Sequence, residues 1–179
     1  MNGEAEAQFE RKVRQLVAAL EACLTANLWE PTLILLYAGI DAMAWLDRPA
    51  SQRDVTEADF VQWAERYLLS QPSPGLTGED LYGARCGLLH SHTGESKKHR
   101  RLEIRKLFYY RDVKGKRVGI VQLRMNEKFL PSNIDLDVFV RAFCDAVQKF
   151  SEDFEKDVER RDRIYGRVLE SYLSEVSIE

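Results

Sequence analysis

The stretch Leu33-Ile34-Leu35-Leu36-Tyr37-Ala38-Gly39-Ile40-Asp41-Ala42-Met43-Ala44-Trp45-Leu46 decides the fold. It leaves no polar stripe at a period of 3.6 residues, so a helix built from it is covered on nearly every side. It is also shorter than the roughly 20 residues a bilayer requires, and it carries a carboxylate, Asp41. It is therefore the central helix of a bundle and not a membrane span. Pro31 suits the first turn of this helix, and Asp47-Arg48-Pro49 ends it.

Working outward, Phe9, Val13, Leu16, Val17, Leu20, Leu24 and Leu28 form one stripe at spacings of three and four, which predicts a first amphipathic helix over 6–28. Thr56 with Asp59 three residues on reads as a cap opening a third helix that buries Phe60, Trp63, Ala64 and Tyr67 and ends near Leu69. Pro72, Pro74 and Gly75 impose a loop. Thr77 and Asp80 repeat the cap before a fourth helix, Leu81 to about His90. Ile104 to Arg111 and Arg117 to Leu123, separated by Asp112-Val113-Lys114-Gly115-Lys116, read as a β-hairpin over 104–124. Pro131-Ser132-Asn133 starts the last element, a long helix through Leu136, Phe139, Val140, Phe143, Val147, Phe150 and Phe154 that continues, bent near Gly166, toward Leu173. The expectation is an all-α, up-and-down bundle of about five helices forming a single domain over 1–179, with the hairpin inserted before the last helix.

The 179 residues carry 26 Lys and Arg against 29 Asp and Glu, a net charge of -3 that at first argues against a polyanionic partner. The average hides a separation. Between Lys97 and Lys128 stand twelve bases and three acids, a local balance of +9, which leaves -12 elsewhere. Lys97, Lys98, Arg100, Arg101, Arg105 and Lys106 lead this block, and Phe108, Tyr109 and Tyr110 are interleaved with it. Such a surface neutralises phosphates and stacks on unpaired bases. The alternative is a solvated hairpin whose charges block edge pairing.

Cys23, Cys86 and Cys144 are odd in number, widely spaced and flanked by apolar residues, which reads as reduced core thiols. The first residues contain no basic stretch followed by an apolar one, so a cytoplasmic location is expected. Trp45 and Trp63 fit core stripes and imply no cofactor.

Directly before the basic block runs Tyr82-Gly83-Ala84-Arg85-Cys86-Gly87-Leu88-Leu89-His90-Ser91-His92, with two of the three histidines. A guanidinium among small and apolar residues must face a partner, solvent or a ligand, because burying it alone is expensive. Asp41 is one candidate partner; exposure at a gap in the bundle is the other reading for that carboxylate. At 100° per residue, positions 85 and 90 are about 140° apart on a straight helix and positions 85 and 92 about 20° apart. Joint action of Arg85 and His90 therefore needs the helix to end or bend near Leu89, or a second subunit. Arg with His and no acidic cluster points to proton transfer at a phosphate: the imidazole exchanges protons near neutral pH, and the guanidinium holds phosphate oxygens. The structural alternative is that His90 caps its helix's C-terminus.

Arg85, four residues and His90, at the end of a helix in a small all-α bundle, resemble the signature of the HEPN superfamily, the higher eukaryotes and prokaryotes nucleotide-binding domain. The resemblance implies a metal-independent endoribonuclease without cofactor, working as a homodimer with RNA as substrate, of the kind found in toxin–antitoxin and phage-defence systems beside an antitoxin or neighbouring defence protein. It implies that Arg85 binds the scissile phosphate and His90 acts as acid or base, with His92 as a chemically able substitute. Apart from the resemblance, Asp41 is read as orienting Arg85, and Tyr82, one turn before Arg85, either hydrogen-bonds at the same cleft or is a core-edge tyrosine. The residue after the arginine, often polar in the family, is Cys86 here, and His92 stands where one toxin subgroup has tyrosine. Other members bind nucleic acid, nucleotide or a partner protein without cleaving, which is the alternative function.

Overall fold

The computed structural model describes residues 2–69, 76–91, 105, 107–113, 116–120 and 132–170. Its elements are α1 (Asn2–Thr25), α2 (Trp29–Asp47), α3 (Glu57–Trp63) running on into a π-helical turn (Ala64–Leu68), α4 (Gly78–Ser91), β1 (Leu107–Val113), β2 (Lys116–Ile120), β3 (Ser132–Asp135), α5 (Leu136–Phe154) and α6 (Val158–Glu170). It is an all-α bundle carrying one small sheet, as the sequence leads one to expect.

The central helix is α2. Leu33, Leu36, Tyr37, Gly39, Ile40, Met43, Ala44 and Leu46 are all buried, and α1, α3, α4, α5 and α6 each pack against it. Gly39 is where the packing is closest: a methyl group there would lie 2.6 Å from Phe143 Cζ and 2.9 Å from Leu16 Cδ2. Only a residue without a side chain lets α1 and α5 approach α2 at that level. Around it Trp63, Tyr67, Phe150 and Phe154 stack in edge-on and tilted pairs at centroid distances of 5.1 to 6.0 Å, a geometry that aromatic quadrupoles favour.

Local chemistry sets the ends. α1 stops three residues before the expected Leu28, because Asn27 takes a left-handed backbone (φ 57) and the Leu28 N–H returns to the Cys23 carbonyl. Thr56 and Asp59 form the expected capping box, and Thr77 and Asp80 exchange the same pair of bonds. Asp80, almost fully buried, also accepts the Arg105 N–H at 2.8 Å, tying the chain ahead of β1 to the start of α4.

The third helix ends at Leu68, beside the expected Leu69, with its last turn widened to π geometry. Two expectations are corrected. Ser132-Asn133 does not begin a helix but lies in β3, which pairs in parallel with β1 (Tyr109 opposite Ile134) while β2 pairs antiparallel on the other side (Tyr109 opposite Ile120), giving a sheet of order β2-β1-β3. The long last helix is two helices: the chain breaks at Glu155–Asp157, where Asp157 Oδ1 accepts the Arg160 N–H and starts α6, and Gly166 sits unremarkably on its exposed side. No helix among the described residues is long and apolar enough to cross a membrane. The three thiols are free and only partly buried, so they border the core and do not fill it.

Candidate functional site

The site begins with an unusual demand of α2: its mid-helix carboxylate. Asp41 and Arg85 meet across the α2–α4 contact, Arg85 Nε donating to Asp41 Oδ2 at 2.7 Å with side chains only 21% and 19% exposed. Positions 82, 85, 86 and 89 share one face of α4 at helical spacing. The Arg85 guanidinium carbon lies 5.8 Å from the centre of the Tyr82 ring, and its Nη1 is 4.0 Å from Cys86 Sγ. Tyr82 in turn packs edge-on to Phe60 at 5.4 Å, so one side of its ring is core and the other borders the guanidinium.

Burial works against the Arg85 charge, but the hydrogen bond and attraction from Asp41, with help from Cys86, outweigh it and hold the guanidinium above its ordinary pKa. Burial also raises the Tyr82 phenol, together with Cys86, against the opposing pull of Arg85. Both groups keep their protons at neutral pH. This face of α4 therefore presents a permanent cation and a phenolic hydroxyl, groups of the kind that bind an oxyanion.

α4 does not end near Leu89; it continues through His90 to Ser91. That removes the early end as a way to bring positions 85 and 90 together, and leaves them about 140° apart around the axis. The His90 side chain, His92, Lys97, Lys98, Arg100, Arg101 and Lys106 lie outside the described residues, as does the turn at Lys114 and Gly115.

Within the basic block, two described residues correct the expectation. Tyr109 does not offer a stacking face: it is buried, its hydroxyl shares a hydrogen bond with that of Tyr37, and its ring stacks on Phe139. Arg111 forks onto Asp137 with two bonds of 2.8 Å and sends Nη1 to the Leu24 carbonyl at 2.7 Å, so it joins β1, α5 and the end of α1. One of the twelve bases is thus internal to the fold. Arg105 is placed by its backbone bond to Asp80.

A second polar centre went unread in the sequence. Arg160 donates to Asp47 at 2.8 Å, to Asp153 at 2.9 Å and to the Tyr67 hydroxyl at 2.6 Å, and is nearly buried. Arg66 reaches Asp153 from the π turn. At the same corner Arg167 gathers the Leu46, Arg48 and Pro49 carbonyls at the end of α2, and burial beside Arg48 and Arg163 lowers its pKa. The only signal in the sequence is that Arg160 falls on the buried stripe that Ile164 and Val168 continue.

Among the described residues no group of three or more His, Cys, Asp or Glu side chains is placed to hold a metal ion. The chain matches no family model, and no curated protein or solved structure is significantly similar to it.

Proposed function

We propose that this protein is a metal-independent endoribonuclease of the HEPN type, acting as a homodimer in a toxin or phage-defence setting. One observation carries the reading: Arg85 is held by Asp41, partly exposed, on the helix that bears position 90 and leads toward the +9 segment. Arg85 grips a non-bridging oxygen of the scissile phosphate and offsets charge that builds on phosphorus. One imidazole takes the proton of the 2′-hydroxyl as its oxygen bonds to phosphorus. The P–O5′ bond then breaks, and a second proton donor protonates the leaving oxygen, giving a 2′,3′-cyclic phosphate and a 5′-hydroxyl. With positions 85 and 90 about 140° apart, the complete set is assembled from two copies.

The test is incubation of purified protein with RNA in EDTA, followed by analysis of the product ends. Cleavage that leaves cyclic phosphates and disappears in His90→Ala supports the reading; unchanged cleavage by that variant overturns it. A non-catalytic module of the same fold, binding nucleic acid or a partner protein, is favoured by one observation, that the Arg85 charge is already answered by Asp41. RNA retention without cleavage marks that case.

A further inference from the structure

The small sheet has two faces of opposite character, and the strand registers assign its positions to them. On β1, Leu107 and Tyr109 are buried, Tyr109 stacks on Phe139, and Arg111 joins Asp137 to the Leu24 carbonyl, so the odd positions face the bundle. The even positions, Phe108, Tyr110 and Asp112, form the outward row. The two rings are half-buried and Asp112 is exposed. Directly paired residues share a face. Tyr110 therefore stands between Gly119 on β2 and Asp135 on β3, and Phe108 stands beside Asn133 on β3.

What flanks the rings is small or polar. Gly119 and Asn133 are both exposed. A methyl group at Gly119 would come 3.3 Å from Tyr110 Cβ, so with glycine there no side chain from β2 crowds the tyrosine at that position. Phe108 and Tyr110 are about 7 Å apart along the strand, side by side on one face. The acids of the row have local roles: Asp135 caps α5 by accepting the Val138 N–H, and Asp112 is opposite Arg117 in the register. With Arg111 given to Asp137, the bases between Leu107 and Ile120 that remain are Lys114, Lys116 and Arg117 against Asp112, a balance of +2.

We propose that the outward face of the sheet binds unpaired RNA bases, Phe108 and Tyr110 each stacking on one base while the bases of the hairpin segment meet the phosphates. The proposal rests on the RNA reading of the function above and adds to it a substrate class, single-stranded RNA. Every nucleobase has an aromatic face, so a ring platform holds a strand without reading its sequence. A duplex keeps those faces stacked on one another and offers them only at its ends. The surplus of positive charge in the same segment answers a polymer that carries one phosphate per base.

The experiment measures binding of the full chain, by fluorescence anisotropy, to a labelled 2′-O-methyl oligouridine and to a blunt RNA duplex of equal length. The methyl groups remove the nucleophile of the proposed cleavage, so binding is read whether or not the protein is an enzyme. The single strand is expected to bind more tightly than the duplex. Phe108→Leu and Tyr110→Leu keep apolar bulk and lose the ring; each is expected to weaken single-strand binding about tenfold and leave duplex binding and the salt slope unchanged, since no phosphate contact is lost. Uracil H5 and H6 signals are expected to move upfield on the wild-type chain through the ring currents, a readout that needs no variant. Single-strand binding that is absent, undiminished in both variants or without ring-current shifts overturns the platform. Stacking by a chain that cleaves no ordinary RNA supports the platform and overturns only the catalytic reading.

Discussion

Asp41 and Arg85 are 44 residues apart in sequence, yet Arg85 Nε lies 2.7 Å from Asp41 Oδ2, linking the apolar centre of the bundle to the helix that carries the Arg/His signature. Asp41→Asn keeps the shape and removes the charge. It is expected to lower stability to urea by about 1–2 kcal/mol, a part-buried ion pair discounted for its exposure. On the proposed function, it is expected in an RNA cleavage assay to reduce kcat more than it raises KM, because Arg85 loses its orientation while the basic segment proposed to hold RNA is intact. A variant with wild-type stability and kcat would show the pair to be idle.

Arg111 separates architecture from binding inside the basic block. Its two bonds to Asp137 and its bond to the Leu24 carbonyl need a planar fork, so Arg111→Lys is expected to lose about 1–2 kcal/mol in urea denaturation despite keeping the charge. Its salt dependence of RNA binding should match the wild type. Charge reversal at Lys97, Lys98, Arg100 and Arg101 should do the opposite, leaving the urea midpoint alone and flattening the salt slope.

Because α4 continues past Leu89 to Ser91, the proposed composite cleft has a direct signature. Mixing inactive Arg85→Ala with inactive His90→Ala after denaturation and refolding should restore about a quarter of wild-type activity: half the dimers are mixed, and each has one intact site of two. A cleft built within one chain gives no restoration.

Two ionisable partners at the α6 corner bracket the pH range of stability. Burial, with Asp153 and against Arg160, raises the Tyr67 phenol from 10.0 to about 12. The folded chain holds that proton longer than the unfolded one, so the contribution is whole below pH 10 and is lost as pH rises toward about 12. Hydrogen bonds from Tyr67 and Arg160 lower the Asp153 carboxyl, so its contribution is whole above the ordinary 3.8 and is lost as pH falls below it. Tyr67→Phe is expected to soften both limbs in urea midpoints measured across the pH range, with little change at neutrality beyond the lost hydrogen bonds.

The helical frame was legible because it rests on local signals: apolar stripes, two capping boxes and the uninterrupted apolar run of α2. The Asp41–Arg85 pair was legible for a related reason, since a carboxylate in an apolar helix and a guanidinium among glycine and alanine each demand a partner. β3 was not, because Ser132-Asn133-Ile134-Asp135 has no alternating pattern and owes its existence to pairing with β1, some 25 positions away. The break at Glu155–Asp157 contains no glycine or proline. Asp157 does cap α6, but one more acid inside a charged run carries no contrast. The Arg160 centre gathers side chains from α2, the π turn, α5 and α6, a convergence that no spacing along the chain encodes.

Asp135 is both the last residue of β3 and the cap of α5, accepting the Val138 N–H with no loop between them. Sheet and helix are thereby one lever. A pull on the β1–β2 ribbon passes through β3, and through Arg111 on Asp137, into the helix whose Phe139, Phe143 and Phe150 form the packed interior. A load on the described part of the hairpin is therefore carried by strand pairing and an ion pair to the centre of the bundle.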